Sequence, residues 1–198
     1  MLGDTCGGCS EEQPTRERCL HDTNLGQQLC IVEGNVVTAK GYDALVNAAN
    51  SQLNDDGGVA WEYVKCGGQS IQDEGHALVK KNGPIPTAQN AITNAGCLGA
   101  RDLINAVGPQ WDQLNAERVE DLLRDTMFNV IRSARLMCDA SVAVPLISVF
   151  QQYICFLYIV VLFVSFVVMF FRFCFIFDRR EFMVLVLNVQ LRFSPKQR

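Results

Sequence analysis

A chain of 198 residues with 49% hydrophobic content can bury the core of one ordinary domain and carry further chain besides. Its net charge of −4 argues against a surface that tracks nucleic-acid phosphates. The balance is uneven: residues 1–149 hold 11 Lys/Arg against 19 Asp/Glu, residues 150–198 hold 6 against 2, and of twelve phenylalanines only Phe128 precedes residue 150, so two composition regimes meet there.

Residues 1–28 are polar, lack sustained periodicity and read as a flexible leader. Met1-Leu-Gly-Asp-Thr5 has neither the basic nor the apolar region of a signal peptide, and the nine cysteines are an odd, scattered set. A reducing compartment with unpaired thiols is therefore expected. Cys6-Gly-Gly-Cys9 has metal-knuckle spacing, but no second such pair follows and His21 is the only nearby imidazole, so no zinc site is expected.

Short apolar strands are predicted at Leu29–Glu33 and Ala44–Asn47, and a helix opens at Val59 directly after two glycines and runs to Lys65. Asn90–Asn94 and Arg101–Val107 read as two more strands, closed by Gly108-Pro109. Residues 116–137 form the clearest helix. Val119, Leu122, Leu123, Met127, Val130, Ile131 and Ala134 recur at three- and four-residue spacing, with acids early and arginines late to suit the helix dipole. Ser141–Ile147 then reads as a buried central strand. Strands alternating with helices indicate an α/β sandwich with helices covering a mixed sheet.

The candidate site lies between the second strand and the helix that follows. In Asp43-Ala-Leu-Val-Asn-Ala-Ala-Asn50 the neutral amides of Asn47 and Asn50 stand at a strand end, suited to ribose hydroxyls. Gly57 and Gly58 let the backbone approach a phosphate, and the helix beginning at Val59-Ala60 offers free N–H groups. A tight turn that needs glycine only for packing explains the same letters.

Thr38, Asp43–Asn50, Gly57-Gly58-Val59-Ala60 and Asn105-Ala-Val-Gly-Pro109 together resemble a macrodomain, the ADP-ribose-binding module, most like those of the macrodomain-containing poly(ADP-ribose) polymerase group. The likeness covers about residues 29–148. It implies a three-layer α/β/α fold and binding of ADP-ribose, free or attached to protein, with no cofactor and no metal. By resemblance, Asn50 would meet the distal ribose, Gly57, Gly58, Val59 and Ala60 the phosphates and ribose, and the Val37 backbone the adenine. Nucleus or cytoplasm is the compartment it implies.

The departures from the family pattern are informative. The family commonly has Gly-Asp-Ile-Thr, its Asp accepting from the adenine amino group; the run here is Asn35-Val36-Val37-Thr38, so a valine is expected in place of that carboxylate. The first glycine of the usual Gly-Gly-Gly is Asp56 here, beside Asp55, and a carboxylate close to a pyrophosphate is repulsive unless it turns to solvent. The second phosphate loop, usually Ser-Ser-Gly-Ile-Phe-Gly-Phe-Pro, is replaced by Ile147-Ser148-Val149-Phe150-Gln151-Gln152, which leaves Ser148 as the last candidate ligand-binding residue. The family elements beyond it are missing, so the domain reads as C-terminally truncated, with an unpartnered sheet edge.

Family hydrolases resemble one another in having Asp after Gly-Gly-Val; that place is Ala60 here, followed by Trp61. A non-enzymatic binder with weakened affinity is expected, ADP-ribosyl hydrolysis being the lesser alternative. Cys66 reads as a packing residue rather than a nucleophile.

For the apolar tail 149–198 three readings are open. Tyr153–Phe171 carries no charge and is long enough to span a bilayer, which would make the chain a membrane-associated interaction protein with a non-binding macrodomain remnant. Its flanking Arg172, Arg179 and Arg180 would, however, put the domain on the non-cytosolic side. Substitute core strands are the second reading. A sequence read past a splice junction, without selected function, is the third.

Overall fold

The computed structural model describes residues 16–22, 28–55, 57–110, 112–145, 147, 174–177 and 183–187. In chain order the elements are β1 (Arg16–Asp22), β2 (Gln28–Glu33), β3 (Ala44–Ala48), α1 (Gly58–Gly67), α2 (Ser70–Asn82), β4 (Asn90–Asn94), β5 (Asp102–Ala106), α3 (Ala116–Leu136), β6 (Val142–Pro145), β7 (Cys174–Phe177) and β8 (Met183–Leu187). One turn of 3-10 helix, Gln113–Asn115, leads into α3.

A mixed sheet in the order β4-β5-β3-β6-β8-β7 organises the fold. β3 runs parallel to both β5 and β6, with Asn47 opposite Asn105 in the first pairing, while β4 is antiparallel to β5. β3, β5 and β6 are buried almost throughout, as strands covered on both faces must be. Alternation along β3 sorts its side chains. Ala44 and Val46 join Ile104, Val142, Val144 and the Met127–Val130–Ala134 stripe of α3 in one core. Leu45 joins Leu103, Ala143, Tyr63 of α1 and Ile71 of α2 in the other. Helices on both faces of a mixed sheet give the expected three-layer α/β/α architecture.

Three expectations need correction. Residues 16–22, placed in the flexible leader, form β1 and pair antiparallel with β2 in a separate two-stranded sheet. The sheet edge at β6 is not unpartnered. β8 pairs with it antiparallel, Val142 opposite Leu187 and Pro145 opposite Val184, and β7 pairs with β8 in turn. Strands are thus what the described part of the tail forms, since β-branched and apolar residues suit a strand that extends a buried sheet. Finally, α2 carries no strong apolar period and goes unread in the sequence. The proposed span at 153–171 and Cys6-Gly-Gly-Cys9 lie outside the described residues. Among the described residues no helix is long and apolar enough to cross a membrane.

The starts of the parallel strands are tied by charge. Asp43 Oδ2 accepts the N–H groups of Ala140 (2.7 Å) and Ser141 (3.0 Å), joining the start of β3 to the turn before β6. Arg101 donates through Nε to Asp102 (2.8 Å), and through Nη2 to Asp139 and to the Met137 carbonyl (2.9 Å) at the end of α3. The Asp139 side chain is fully buried, and its second oxygen has no hydrogen-bond partner among the described residues. Burial, and next the nearby Asp102 charge, push its carboxyl up to about 6 against the pull of Arg101.

Candidate functional site

The opposite, carboxyl ends of β3 and β5 carry the predicted site residues, which is where open α/β sheets hold ligands. Asn47 is completely buried; its Nδ2 donates to Asn105 Oδ1 (3.0 Å) and to Asp55 Oδ1 (3.3 Å). Asn105 Nδ2 continues the chain to Thr93 Oγ1 (3.0 Å), so four polar side chains on β3, β5, β4 and the following loop are linked below the surface. Asn47 Oδ1 is buried without a partner among the described residues. A buried acceptor left open is costly unless a water or a ligand donor reaches it.

Asn50 is exposed and already occupied. Its Oδ1 accepts the N–H groups of Gln52 (3.0 Å) and Asn54 (3.1 Å), and its Nδ2 donates to the Asn54 carbonyl (2.7 Å). These bonds wind residues 50–54 into a compact turn whose buried Leu53 adopts φ +51°. Gly75 of α2 packs against it, with Leu53 Cβ 3.4 Å from where a β-carbon would stand. α2 also grips the loop with polar groups. Gln72 Nε2 donates to the Leu53 carbonyl (2.8 Å), its Oε1 accepts the Asp55 N–H (3.2 Å), and His76 Nε2 lies 3.1 Å from Asn54 Oδ1. Gln72 and His76 are site-shaping residues that sequence reasoning missed, because nothing in their spacing pointed toward the loop.

Asp55 turns inward and is 7% exposed, held by its contact with Asn47. Asp56 and Ser148 lie outside the described residues.

Gly57 is the N-cap of α1, with extended backbone (φ −175°, ψ 171°), and among the described residues no side chain caps the helix. Gly58 follows at φ +61°, where a β-carbon is strained. Both glycines are exposed, with open space where a β-carbon would stand. The first-turn N–H groups of Gly58, Val59 and Ala60 have no side-chain cap among the described residues and form the positive end of the helix dipole. Ala60 is buried and Val59 half-buried. Tyr63 fixes α1 to the sheet by donating to the Val46 carbonyl at 3.1 Å, and burial holds its hydroxyl well above the ordinary tyrosine range.

The far end of α1 is pinned as well. Cys66 and Cys97 are disulfide-bonded, and the Cys97 N–H donates to the Gly67 carbonyl (2.8 Å), which sets the two cysteines side by side. The expectation of unpaired thiols fails here because Gly67 and Gly96 let the two backbones meet. A β-carbon on Gly96 would fall 2.0 Å from the Gly67 oxygen.

On the expected adenine side, Val37 is buried and its N–H donates to Asn35 Oδ1 (2.9 Å). Among the described residues no group of three His, Cys, Asp or Glu could hold a metal ion.

Comparison with known proteins agrees with this layout. The Macro domain family model matches residues 46–151. An uncharacterized protein of Saccharolobus solfataricus is 39% identical over 129 residues, covering 65% of this chain and 70% of the relative. Two further archaeal relatives are covered over 63% and 62% of their own length. The mouse protein mono-ADP-ribosyltransferase PARP9 is 39% identical over 89 residues, 45% of this chain and 10% of that protein, so the likeness to the polymerase group is limited to that segment. Among solved structures, the Oceanobacillus iheyensis macrodomain mutant G37V with ADPR superimposes with a TM-score of 0.59 at 27% identity, covering 64% of this chain and 68% of that one. The sheet order, the glycine-opened helix and these matches together make the chain a member of the Macro domain family.

Proposed function

We propose that this chain is an ADP-ribose-binding module whose ligand is ADP-ribose, free or attached to protein. The observation that carries the reading is the uncapped, glycine-opened N-terminus of α1 at the carboxyl end of β3. Two adjacent phosphates match its free N–H groups and its dipole. The amide-rich strand ends suit hydroxyl donors of a ribose. Ala60 places a methyl group where family hydrolases carry a carboxylate, which favours binding over turnover. Residues 148–152 contain no glycine, so no second glycine-rich phosphate loop is written there, and affinity is correspondingly reduced.

Gly57→Asp tests the reading cleanly. Gly57 is extended and its β-carbon would meet nothing, so the substitution costs no strain. An N-cap aspartate favours the helix by a few tenths of a kcal/mol, about the difference between good caps and glycine. The same carboxylate occupies the N–H groups and repels pyrophosphate. Calorimetric titration of the full chain with ADP-ribose is expected to show saturable binding in the wild type and at least tenfold weaker binding in Gly57→Asp, with an unchanged or higher Tm. A folded wild type that gives no heat, or equal binding by the variant, refutes the proposal.

A further inference from the structure

One large aromatic beside this cleft remains unexplained by packing. Trp61 is 49% exposed, in a helix whose neighbouring Ala60 and Tyr63 are buried. It sits in the first turn of α1, three residues after Gly58. Side chains on a helix lean toward its N-terminus, so the indole covers surface above its own position, on the side of Gly57 and Gly58. Those glycines carry no side chains to crowd it and have open space around them. Lys65, one turn later and also exposed, holds its ammonium 5.0 Å from the indole centroid. An exposed indole that holds a cation over one face offers its other face to a stacking base and the cation to that unit's phosphates.

We infer that Trp61 and Lys65 form a second subsite, which takes the adenine and phosphate of a neighbouring ADP-ribosyl unit when the ligand is an oligomer. The inference rests on the proposed ADP-ribose cleft. In such an oligomer the distal ribose of one unit is joined to the adenosine ribose of the next, so a ligand held at the α1 N-terminus brings a neighbouring adenine close to the cleft. Charge supports the occupant: Lys65 and the α1 N-terminus are positive, and each added unit brings a pyrophosphate. The subsite makes the module prefer oligomeric over monomeric ADP-ribose.

The test titrates the full chain with ADP-ribose and with a defined linear ADP-ribose dimer, following heat and tryptophan fluorescence. The wild type is expected to bind the dimer about tenfold more tightly than the monomer, the scale of one stacked base. Trp61→Ala is expected to lose that advantage and its fluorescence quench while monomer binding stays within twofold, and Trp61→Phe to retain part of both. Equal binding of monomer and dimer by the wild type overturns the subsite but leaves the cleft standing. Absence of binding to either ligand overturns both. A Trp61-dependent gain seen with an ADP-ribosylated peptide and not with the dimer overturns the base as occupant in favour of the acceptor protein.

Discussion

Asp139 gives the structure a measurable pH signature. Its carboxyl is fully buried and pushed up to about 6, chiefly by burial and next by the Asp102 charge, with Arg101 opposing. In the unfolded chain the same group titrates near its ordinary value of 3.8. The folded state therefore keeps a proton that the unfolded state has released between about pH 4 and 6. Stability from this group is fully present below pH 4, is lost as pH rises through 6 and is flat above about 7. Raising the carboxyl from 3.8 to about 6 corresponds to about 3 kcal/mol. Arg101 is half-exposed, so water screens its attraction and leaves the penalty of burying an anion largely uncompensated. Asp139→Asn removes the titration, keeps an oxygen for Arg101 and puts a donor near Asp102 and Asp43. Thermal and urea unfolding of the full chain between pH 4.5 and 8 measure the effect as a difference between wild type and variant, so that other carboxylates cancel. The variant's advantage over the wild type should grow by about 2 kcal/mol between pH 4.5 and 7.5, or about 6 °C in Tm for a domain of this size. A flat difference curve refutes the reasoning. So does a variant that loses ground as pH rises, which would mean that Arg101 wins and the carboxylate is held ionised.

Two predictions concern the tie between α1 and the turn after β4. Gly96→Ala puts a β-carbon 2.0 Å from the Gly67 oxygen at a residue with φ +55°, so backbone must move; a loss of about 3 kcal/mol or more is expected in chemical denaturation, and a loss below 1 kcal/mol would contradict the packing. Reducing the Cys66–Cys97 bridge releases a loop of roughly thirty residues, worth about 3–4 kcal/mol in the chain-entropy account, so a reductant is expected to lower the wild-type Tm by about 10 °C and to leave Cys66→Ser unaffected. An identical Tm with and without reductant would show that the bridge contributes nothing.

Much of the central sheet was legible because its strands are short, apolar and bounded by turn residues. Asn90–Asn94 matches β4, and Ala44–Asn47 and Arg101–Val107 differ from β3 and β5 by a residue or so. α3 was plain for the same kind of reason: one face supplies Val119, Met127, Val130 and Ala134 to the core. α2 was not. Only Ile71 and Gly75 of its thirteen residues are buried, and its contribution is polar, Gln72 and His76 holding the site loop from a distance in sequence. No period encodes that. The disulfide was hidden likewise, since Cys66 and Cys97 approach only because two glycines let α1 and the β4–β5 connection touch. Within the site, Asn47 and Asn50 were found as residues but not in their parts. One is the buried hub of a side-chain chain, and the other winds its own loop.

The two ends of the parallel strands divide the chemistry. At their starts, Asp43, Arg101, Asp102 and Asp139 gather charge, and one buried anion is tolerated at a cost in stability. At their carboxyl ends the residues that shape the surface are neutral amides, two glycines and a small buried alanine, while the Asp55 carboxylate is turned toward the buried Asn47. An anionic ligand approaching the second end meets oriented N–H dipoles and no exposed carboxylate from Asp55. It needs no counter-ion to bind there. Specificity then depends on hydroxyl and base contacts more than on net charge, so affinity for ADP-ribose should fall only weakly between 50 and 300 mM salt. A salt dependence as steep as that of a phosphate-tracking surface, with several ions released per ligand, would place the binding on exposed lysines and arginines instead of on α1.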